Sequence, residues 1–350
     1  MLRQEFKKLW NVPMMMLVVL LCILTAVSAA CTGRFDLMAG NDELYQWYLE
    51  RWEGTLTQQK RNEIQEEQQM MDSIPDLESI MTERYLADEI SLDEYTEYME
   101  KKTYVTGHRS AFDMVLADVA YLEMEEMETG ISGLQLFYSR YWNYYFQTET
   151  ISYLLLIFVF AAGLRSYFME KSAGMLSLLR SSGVGINGVM TDKAVVVGIS
   201  AGAVTLLVGL IRMVSFFLAF DMPCPGAPLQ SLPAFAQVTI PMSLMGAAFL
   251  AILLQMIGYA LLAMLLTVMS MWVGREIPAA IAGLTLVFVP VMFGETLPWL
   301  KSYSLYDLLN GMAVIQNSTG TFGILHLGAV ILIWSILAAF TVLSGSKKGI

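Results

Sequence analysis

The stretch "FMEKSAGMLSLLRSSGVGINGVMTDK", Phe168 to Lys193, lies between two strongly apolar runs. The first run ends at Leu164 and the second begins at Ala194. Apolar helices of ~20 residues match the ~30 Å thickness of the hydrocarbon layer of a membrane. The stretch is therefore predicted to connect two membrane spans. The side of the membrane on which it lies decides which partners it can contact.

The composition of the whole chain supports a membrane environment. Of its 350 residues, 56% are hydrophobic and only 15% are charged, and the mean hydropathy is +0.53. A soluble domain of this length needs more polar surface to cover its core. The sequence therefore predicts an all-α, polytopic membrane protein with six transmembrane helices.

The predicted organisation alternates apolar runs with polar segments. We expect an amphipathic cytoplasmic interface helix at 1–12, the first span at 13–31 and an acidic helical domain at 32–149. The second span follows at 150–165 and a loop at 166–193. Four further spans lie within 194–343, with short re-entrant or outer helices at 297–314, and a tail occupies 344–350. A cleaved signal peptide is the alternative for the first span, because small residues at 28–31 are typical of a cleavage site.

The acidic domain differs in charge from the rest of the chain. Residues 34–150 contain 25 acidic and 9 basic residues, a balance of −16. Such a charge argues against nucleic acid as a partner. Its first helix is expected to begin at Asn41 or Asp42 and to run past Gln69. The motif SLDE at 91–94 predicts a capping box at the start of another helix.

The distribution of basic residues predicts the orientation. Cytoplasmic segments next to spans are enriched in Lys and Arg. Six spans place most of the membrane-flanking basic residues on one side: Arg3, Lys7, Lys8, Arg165, Lys171, Arg180, Lys193, Arg275, Lys347 and Lys348. That side is therefore predicted to be cytoplasmic and to hold both termini and the loop at 166–193. The acidic domain is then an extracytoplasmic insertion between the first two spans.

The loop at 166–193 contains a short amphipathic segment. Met175, Leu176, Leu178 and Leu179 form an apolar patch on a short helix, with Glu170 and Lys171 near its start. Gly174 is expected to permit close approach to this helix. Such a helix can dock into a groove on a soluble partner. Packing against the protein's own helices is the alternative that the residues alone leave open.

The motif E-x-x-x-G-x-x-x-L-L-R, followed by a polar turn and a lysine, stands in this loop between the second and third predicted spans. Together with the order of the spans, it resembles permease subunits of the ABC-2 family of ATP-binding-cassette exporters. The resemblance implies that the loop is a coupling helix that contacts an ATPase subunit. The residues assigned to coupling on this basis are Glu170, Gly174, Leu176, Leu178, Leu179, Arg180 and Lys193. Many family members have a proline after the Leu-Leu pair, where this chain has Ser-Ser-Gly at 181–183.

The resemblance also implies partners and a function. The expected protein is the transmembrane subunit of an exporter in the cell membrane, moving a hydrophobic or amphipathic solute such as a peptide, lipid or drug. It is expected to form a homodimer and to pair with a separate ATPase subunit that binds ATP and Mg²⁺. The alternative function is a membrane sensor whose outer helical domain binds a peptide and signals inward.

The chain itself is not expected to be an enzyme. It has no G-x-x-x-x-G-K-[ST] phosphate loop. Neither of its two histidines, His108 and His326, stands near other metal ligands at a suitable spacing. We therefore predict no catalytic residue, metal site or bound cofactor.

A few polar residues in or near the spans are candidate functional groups. An intramembrane charge is a functional candidate by default, and Arg212 is the one basic residue inside a predicted span. Its place near the outer end favours snorkelling or a local pair with Asp221. Glu295 and His326 are candidates for a shared outer vestibule. Cys31 and Cys224 stand near predicted outer edges, so a bridge and two free thiols both remain open.

Overall fold

The computed structural model describes residues 2–31, 42–73, 78–147, 149–175, 185–319 and 323–347. These residues divide into two compact units. The apolar unit comprises Met1–Gly33, Tyr141–Met222 and Gln237–Ile350, and the acidic unit comprises Arg34–Arg140 and Pro223–Ala236. The chain is 81% helical with almost no sheet, which confirms the all-α prediction.

The described helices are, in chain order, α1 (Leu2–Leu9), α2 (Val12–Cys31), α3 (Asp42–Trp52), α4 (Gln58–Asp72), α5 (Glu78–Leu86), α6 (Leu92–Thr129), α7 (Arg140–Phe146), α8 (Glu149–Ser172), α9 (Gly185–Ala219), α10 (Leu244–Val273), α11 (Glu276–Met292), α12 (Pro298–Ser302), α13 (Leu305–Asn310), α14 (Met312–Gln316) and α15 (Gly323–Lys347). Two short strands, β1 (Gly54–Thr55) and β2 (Gln135–Leu136), pair antiparallel. Two single-turn 3₁₀ helices lie at Leu229–Ser231 and Pro233–Phe235.

Helix α10 forms the centre of the apolar unit. It packs against α8, α9, α11, α13, α14 and α15. Glycines allow its neighbours to approach closely: a Cβ on Gly198 of α9 would lie 2.7 Å from the Met264 side chain, and one on Gly163 of α8 would lie 2.9 Å from Leu266. Small residues at helix contacts are typical of membrane bundles, where close packing replaces the hydrophobic effect.

Among the described residues, four helices are long and apolar enough to cross a membrane. The qualifying segments are Tyr153–Ser172, Val189–Ala219, Leu244–Val273 and Gly323–Leu343. A fifth results if α1 and α2, which meet at a 66° bend, are counted as one span. The chain is thus a membrane-embedded, multi-pass protein.

The remaining expected span corresponds to α11, which is shorter. It has 17 residues and an internal proline, Pro290. At 1.5 Å per residue it extends roughly 25 Å, less than the ~30 Å of a hydrocarbon core. Six spans and the extracytoplasmic position of the acidic unit therefore stay predictions.

The acidic unit is built from α3 to α6 and the strand pair. Its core is aromatic, with Tyr48, Trp52 and Phe112 fully buried and in ring contact. The capping box at Ser91 is confirmed: Ser91 accepts from the backbone of Glu94, and the Glu94 side chain accepts from the backbone of Ser91.

The prediction of one helix running from residue 41 or 42 past residue 69 is wrong. Helix α3 ends at Trp52, and α4 begins at Gln58. Gly54 has a positive φ of 100° and is the first residue of β1. A right-handed α-helix requires a negative φ, so the helix cannot continue through Gly54. Thr57 then caps α4 by accepting from the backbone of Lys60.

Candidate functional site: a buried ion cluster joining three helices

Four charged side chains meet where α1, α8 and α9 converge in the apolar unit. The Lys193 ammonium of α9 lies 2.6 Å from Glu5 Oε2 of α1 and 2.9 Å from Glu170 Oε1 of α8. The Lys8 ammonium lies 2.9 Å from Glu5 Oε1 and 3.0 Å from the same Glu170 oxygen. We call these four residues the ion cluster. Its formal charges balance.

Burial makes the ion cluster different from a surface salt bridge. Lys193 is 3% exposed and Glu170 is 5% exposed, whereas the Lys8 side chain is about half exposed. Buried ions are stable only when they are paired and their remaining hydrogen-bonding groups are satisfied. Lys193 meets this condition, because its third contact is the backbone carbonyl of Ser166 at 3.4 Å.

Two hydrogen-bonding groups of the ion cluster have no partner within the cluster. Both oxygens of Glu5 accept from lysines, and Glu170 Oε1 accepts from two. Glu170 Oε2 is buried and has no hydrogen-bond partner among the described residues. A lysine ammonium has three N–H donors, and two of those on Lys8 point at carboxylates. One acceptor and one donor of the cluster therefore remain for another group.

A cavity of about 160 Å³ lies beside the ion cluster. The four cluster residues contribute to its lining, and most of the remaining wall is apolar, from Leu9, Met169, Val196 and Val197. Arg165, Ser166 and two exposed residues, Ala173 and Met175, complete the lining. The cavity thus combines an apolar wall with a charged end.

The structure brings two of the predicted coupling residues into direct contact, Glu170 and Lys193. Their expected local setting was wrong, however. Glu170 lies in the last turn of α8, which continues to Ser172, rather than at the start of a separate loop helix. Lys193 lies inside α9, which begins at Gly185. The motif residues Leu176, Leu178, Leu179 and Arg180 lie outside the described residues.

Gly174 forms the cap at the end of α8. A Cβ on Gly174 would meet nothing within 4 Å. Its φ of 68° is left-handed, its N–H bonds to the carbonyl of Lys171, and the N–H of Met175 bonds to the carbonyl of Glu170. These two bonds form a Schellman motif, which glycine favours because of its positive φ.

Sequence reasoning missed Glu5 and the pairing role of Lys8. Glu5 is the single acidic residue in a helix with three basic residues, and it stands three positions before Lys8. The isolated position of this acidic residue among basic ones was the signal in the sequence that Glu5 forms an ion pair. Its partner Lys193 is 188 positions away, so no local pattern could have identified the contact.

Arg212 is buried in α9 and does not snorkel or pair with Asp221. Its guanidinium donates to the backbone carbonyls of Tyr145, in the last turn of α7, and of Gln147, just after it. It also lies over the rings of Tyr145 and Phe216, at 5.0 and 5.4 Å from their centroids. Asp221 is exposed. Arg212 therefore anchors the C-terminal end of α7 to α9.

The two other candidate charges occupy different settings. Glu295 is exposed beyond α11. His326 is half-buried in α15, where its ring contacts Tyr303 and its Nδ1 lies 3.4 Å from the Ser318 hydroxyl. The structure gives no contact that joins Glu295 to His326, so a shared vestibule stays a prediction.

Metal and disulfide sites are not found in the part of the chain that the structure describes. No group of three or more His, Cys, Asp or Glu residues there has a geometry suited to a metal ion. Cys22, Cys31 and Cys224 are free thiols. Cys224 instead contacts a carboxylate oxygen of Glu53 at 3.2 Å.

Comparisons with protein-family models, curated proteins and solved structures return no match to this chain. The site and the motif in the sequence are therefore the features from which a function is inferred.

Proposed function

We propose that this chain is the permease subunit of an ATP-driven exporter of the ABC-2 type, working with a separate ATPase subunit. The observation that carries the proposal is the ion cluster. It ties α1, α8 and α9 together beside the segment predicted to couple to the ATPase.

The connectivity explains why such a cluster suits coupling. The motif segment 176–184 follows α8 and precedes α9. Glu170 lies near the end of α8, and Lys193 lies in the third turn of α9. Through Glu5 the same cluster holds α1. A force applied to the segment would therefore act on three helices together.

Additional contacts strengthen the same end of the unit. Lys171 of α8 donates to the carbonyl of Gly274, which caps α10. The indole N–H of Trp10, just after α1, donates to Ser200 of α9 at 3.2 Å. The Lys171 contact connects α8 to the central helix α10, and the Trp10 contact adds a bond between α1 and α9. They favour a rigid-body movement of the bundle over local bending.

The proposed topology follows the positive-inside rule. Both termini and the motif segment face the cytoplasm, α11 is the sixth span, and the acidic unit lies outside the cell membrane. Two copies of the chain form the pathway, and each contacts one ATPase. ATP and Mg²⁺ bind the ATPase, whose closure favours one access state of the spans. The apolar composition favours a hydrophobic or amphipathic cargo.

A co-purification experiment tests the proposal. The tagged chain is isolated from its native membranes, and Mg²⁺-dependent ATP hydrolysis of the isolate is measured. We expect Leu179→Asp to remove the activity, because a charge on the apolar patch prevents docking. Leu86→Asp is the matched control: Leu86 is 78% exposed in the acidic unit, and this variant should retain the activity. Equal ATPase activity in wild type and Leu179→Asp would refute the assignment.

A further inference from the structure

We infer that the cavity beside the ion cluster binds the headgroup of a phospholipid that carries a primary ammonium group next to its phosphate, as phosphatidylethanolamine does. This inference is independent of the proposed exporter function, since it depends only on the lining of the cavity and on its place in the bundle.

The ion cluster has one open acceptor and one open donor. Glu170 Oε2 is buried without a partner, and buried polar atoms in native proteins are nearly always hydrogen-bonded. It is a carboxylate oxygen and requires a donor. Lys8 keeps one N–H and a half-exposed ammonium, which require an acceptor. A ligand with both an ammonium and an anionic group satisfies the two requirements together.

The open acceptor and the open donor lie close together. The Lys8 ammonium lies 3.0 Å from Glu170 Oε1, and Oε2 shares a carbon atom with that oxygen. The open acceptor and the Lys8 ammonium are therefore separated by no more than this contact plus the width of one carboxylate. In phosphoethanolamine, the ammonium and the phosphate are separated by two carbon atoms, which suits this spacing. The terminal torsion of a glutamate is soft, so a small rotation of the carboxylate can present Oε2 to the cavity.

The size and the apolar wall of the cavity suit a lipid better than water. A single water needs about 15 Å³ by the same measure, so the volume of about 160 Å³ is far larger than one water requires. Leu9, Met169, Val196 and Val197 give it an apolar side, which water fills poorly but a glycerol backbone and the first acyl carbons fill well. Arg165 adds a second cation that can contact phosphate.

The cavity lies beside a basic amphipathic helix. Helix α1 carries Arg3, Lys7 and Lys8 on eight residues and is joined at a 66° bend to the apolar α2. Such a helix suits the headgroup layer of a membrane. The cavity, lined partly by α1, is therefore at the depth where headgroups are found. A lipid can enter it without leaving the membrane.

The test compares lipids that differ in one chemical feature. The full-length protein is purified in detergent, and its melting temperature is titrated with phosphatidylethanolamine, phosphatidylcholine or phosphatidylglycerol. Choline has no N–H to donate, and glycerol has no ammonium. We expect phosphatidylethanolamine to stabilise the protein at about tenfold lower concentration than either other lipid, because a charge-assisted hydrogen bond is lost in both.

Two variants locate the effect. Glu170→Gln keeps the side-chain shape but presents an amide donor in place of the open acceptor, and should remove the preference for phosphatidylethanolamine. Ala173→Trp starts from an exposed wall residue, leaves the ion cluster intact, and should block the cavity. Glu276→Gln makes the same chemical change as Glu170→Gln at an exposed position and should keep the preference.

Three results would overturn the inference. Equal responses to phosphatidylethanolamine and phosphatidylcholine would mean that water or the chain itself fills the cavity. A stronger response to phosphatidylglycerol would mean that an anionic headgroup, without an ammonium, is recognised. An unchanged preference in Ala173→Trp would place any lipid site elsewhere, and this variant decides the question even if Glu170→Gln fails to fold.

Discussion

Replacement of Lys193 by methionine should strongly destabilise the apolar unit. Lys193 is the sole donor to Glu5 Oε2 among the contacts of the ion cluster and shares Glu170 Oε1 with Lys8. Lys193→Met would leave two largely buried carboxylates facing one half-exposed lysine. Removing one member of a buried ion pair typically costs about 3–5 kcal/mol, because the remaining charge stays buried without a partner. We expect a loss of unfolding free energy in that range.

The assay is equilibrium unfolding in mixed micelles of a mild detergent and SDS, followed by far-UV circular dichroism. Lys7→Met is the matched control: Lys7 is exposed on the same helix as Lys8, so its replacement should change the unfolding free energy by less than about 0.5 kcal/mol. Equal effects of the two methionine variants would refute the claim that burial makes the cluster important.

A second variant separates electrostatics from simple loss of packing. Lys193→Met combined with Glu5→Gln removes the carboxylate that the first change leaves unpaired. The double variant should be more stable than Lys193→Met alone by about 1–3 kcal/mol, since interacting sites are not additive. If the two costs simply add, the lysine contributes through its methylene chain and not through its charge.

Three further predictions concern other positions, each measured as unfolding free energy. Gly311→Ala should cost about 2–4 kcal/mol, because the φ of Gly311 is 67° and a Cβ there would lie 2.5 Å from the carbonyl oxygen of Ala251. The control Gly328→Ala should be neutral or slightly stabilising, because a Cβ on Gly328 would have no neighbour within 4 Å. Arg212→Leu should cost about 1–3 kcal/mol, because the carbonyls at the end of α7 lose their donor. Burial raises the pKa of Asp118 above its ordinary value of 3.8, although the Tyr45 hydroxyl donates to it and lowers it. Relative to Asp118→Asn, the wild type should therefore lose stability as pH rises from 3.8 through the raised pKa, and an equal pH dependence would contradict this.

Much of the fold was predictable because membrane spans leave a strong signal in sequence. A run of apolar residues long enough to cross hydrocarbon can satisfy its backbone only as a helix. That reasoning gave α2, α8, α9, α10 and α15 their approximate places. The same reasoning was less decisive for α11, where a polar turn before Glu276 and a proline at 290 limit the helix to 17 residues.

The wrong prediction for Arg212 and the missed contact of Glu5 have one physical cause. The partner of a buried charge is often far away in the sequence. Arg212 has an acid nine positions later, yet it bonds to carbonyls more than 60 positions earlier. The last carbonyls of a helix have no partner within that helix, so the C-terminal end of a helix attracts cations. No acidic residue in the sequence marks such a site. Glu5 and Lys193 illustrate the same difficulty with charges on separate helices.

The ion cluster and the adjacent cavity share Glu170, but their roles can be separated. The structural role depends on Glu170 Oε1, which accepts from both lysines, and the proposed lipid contact depends on Oε2. Ala173→Trp should therefore abolish lipid preference while leaving the unfolding free energy in lipid-free detergent nearly unchanged. Lys193→Met should lower the unfolding free energy with or without lipid. A bound headgroup would donate a hydrogen bond to Glu170 Oε2, the buried atom of the ion cluster that has no partner. The lipid should therefore stabilise the packing of α1, α8 and α9 against one another.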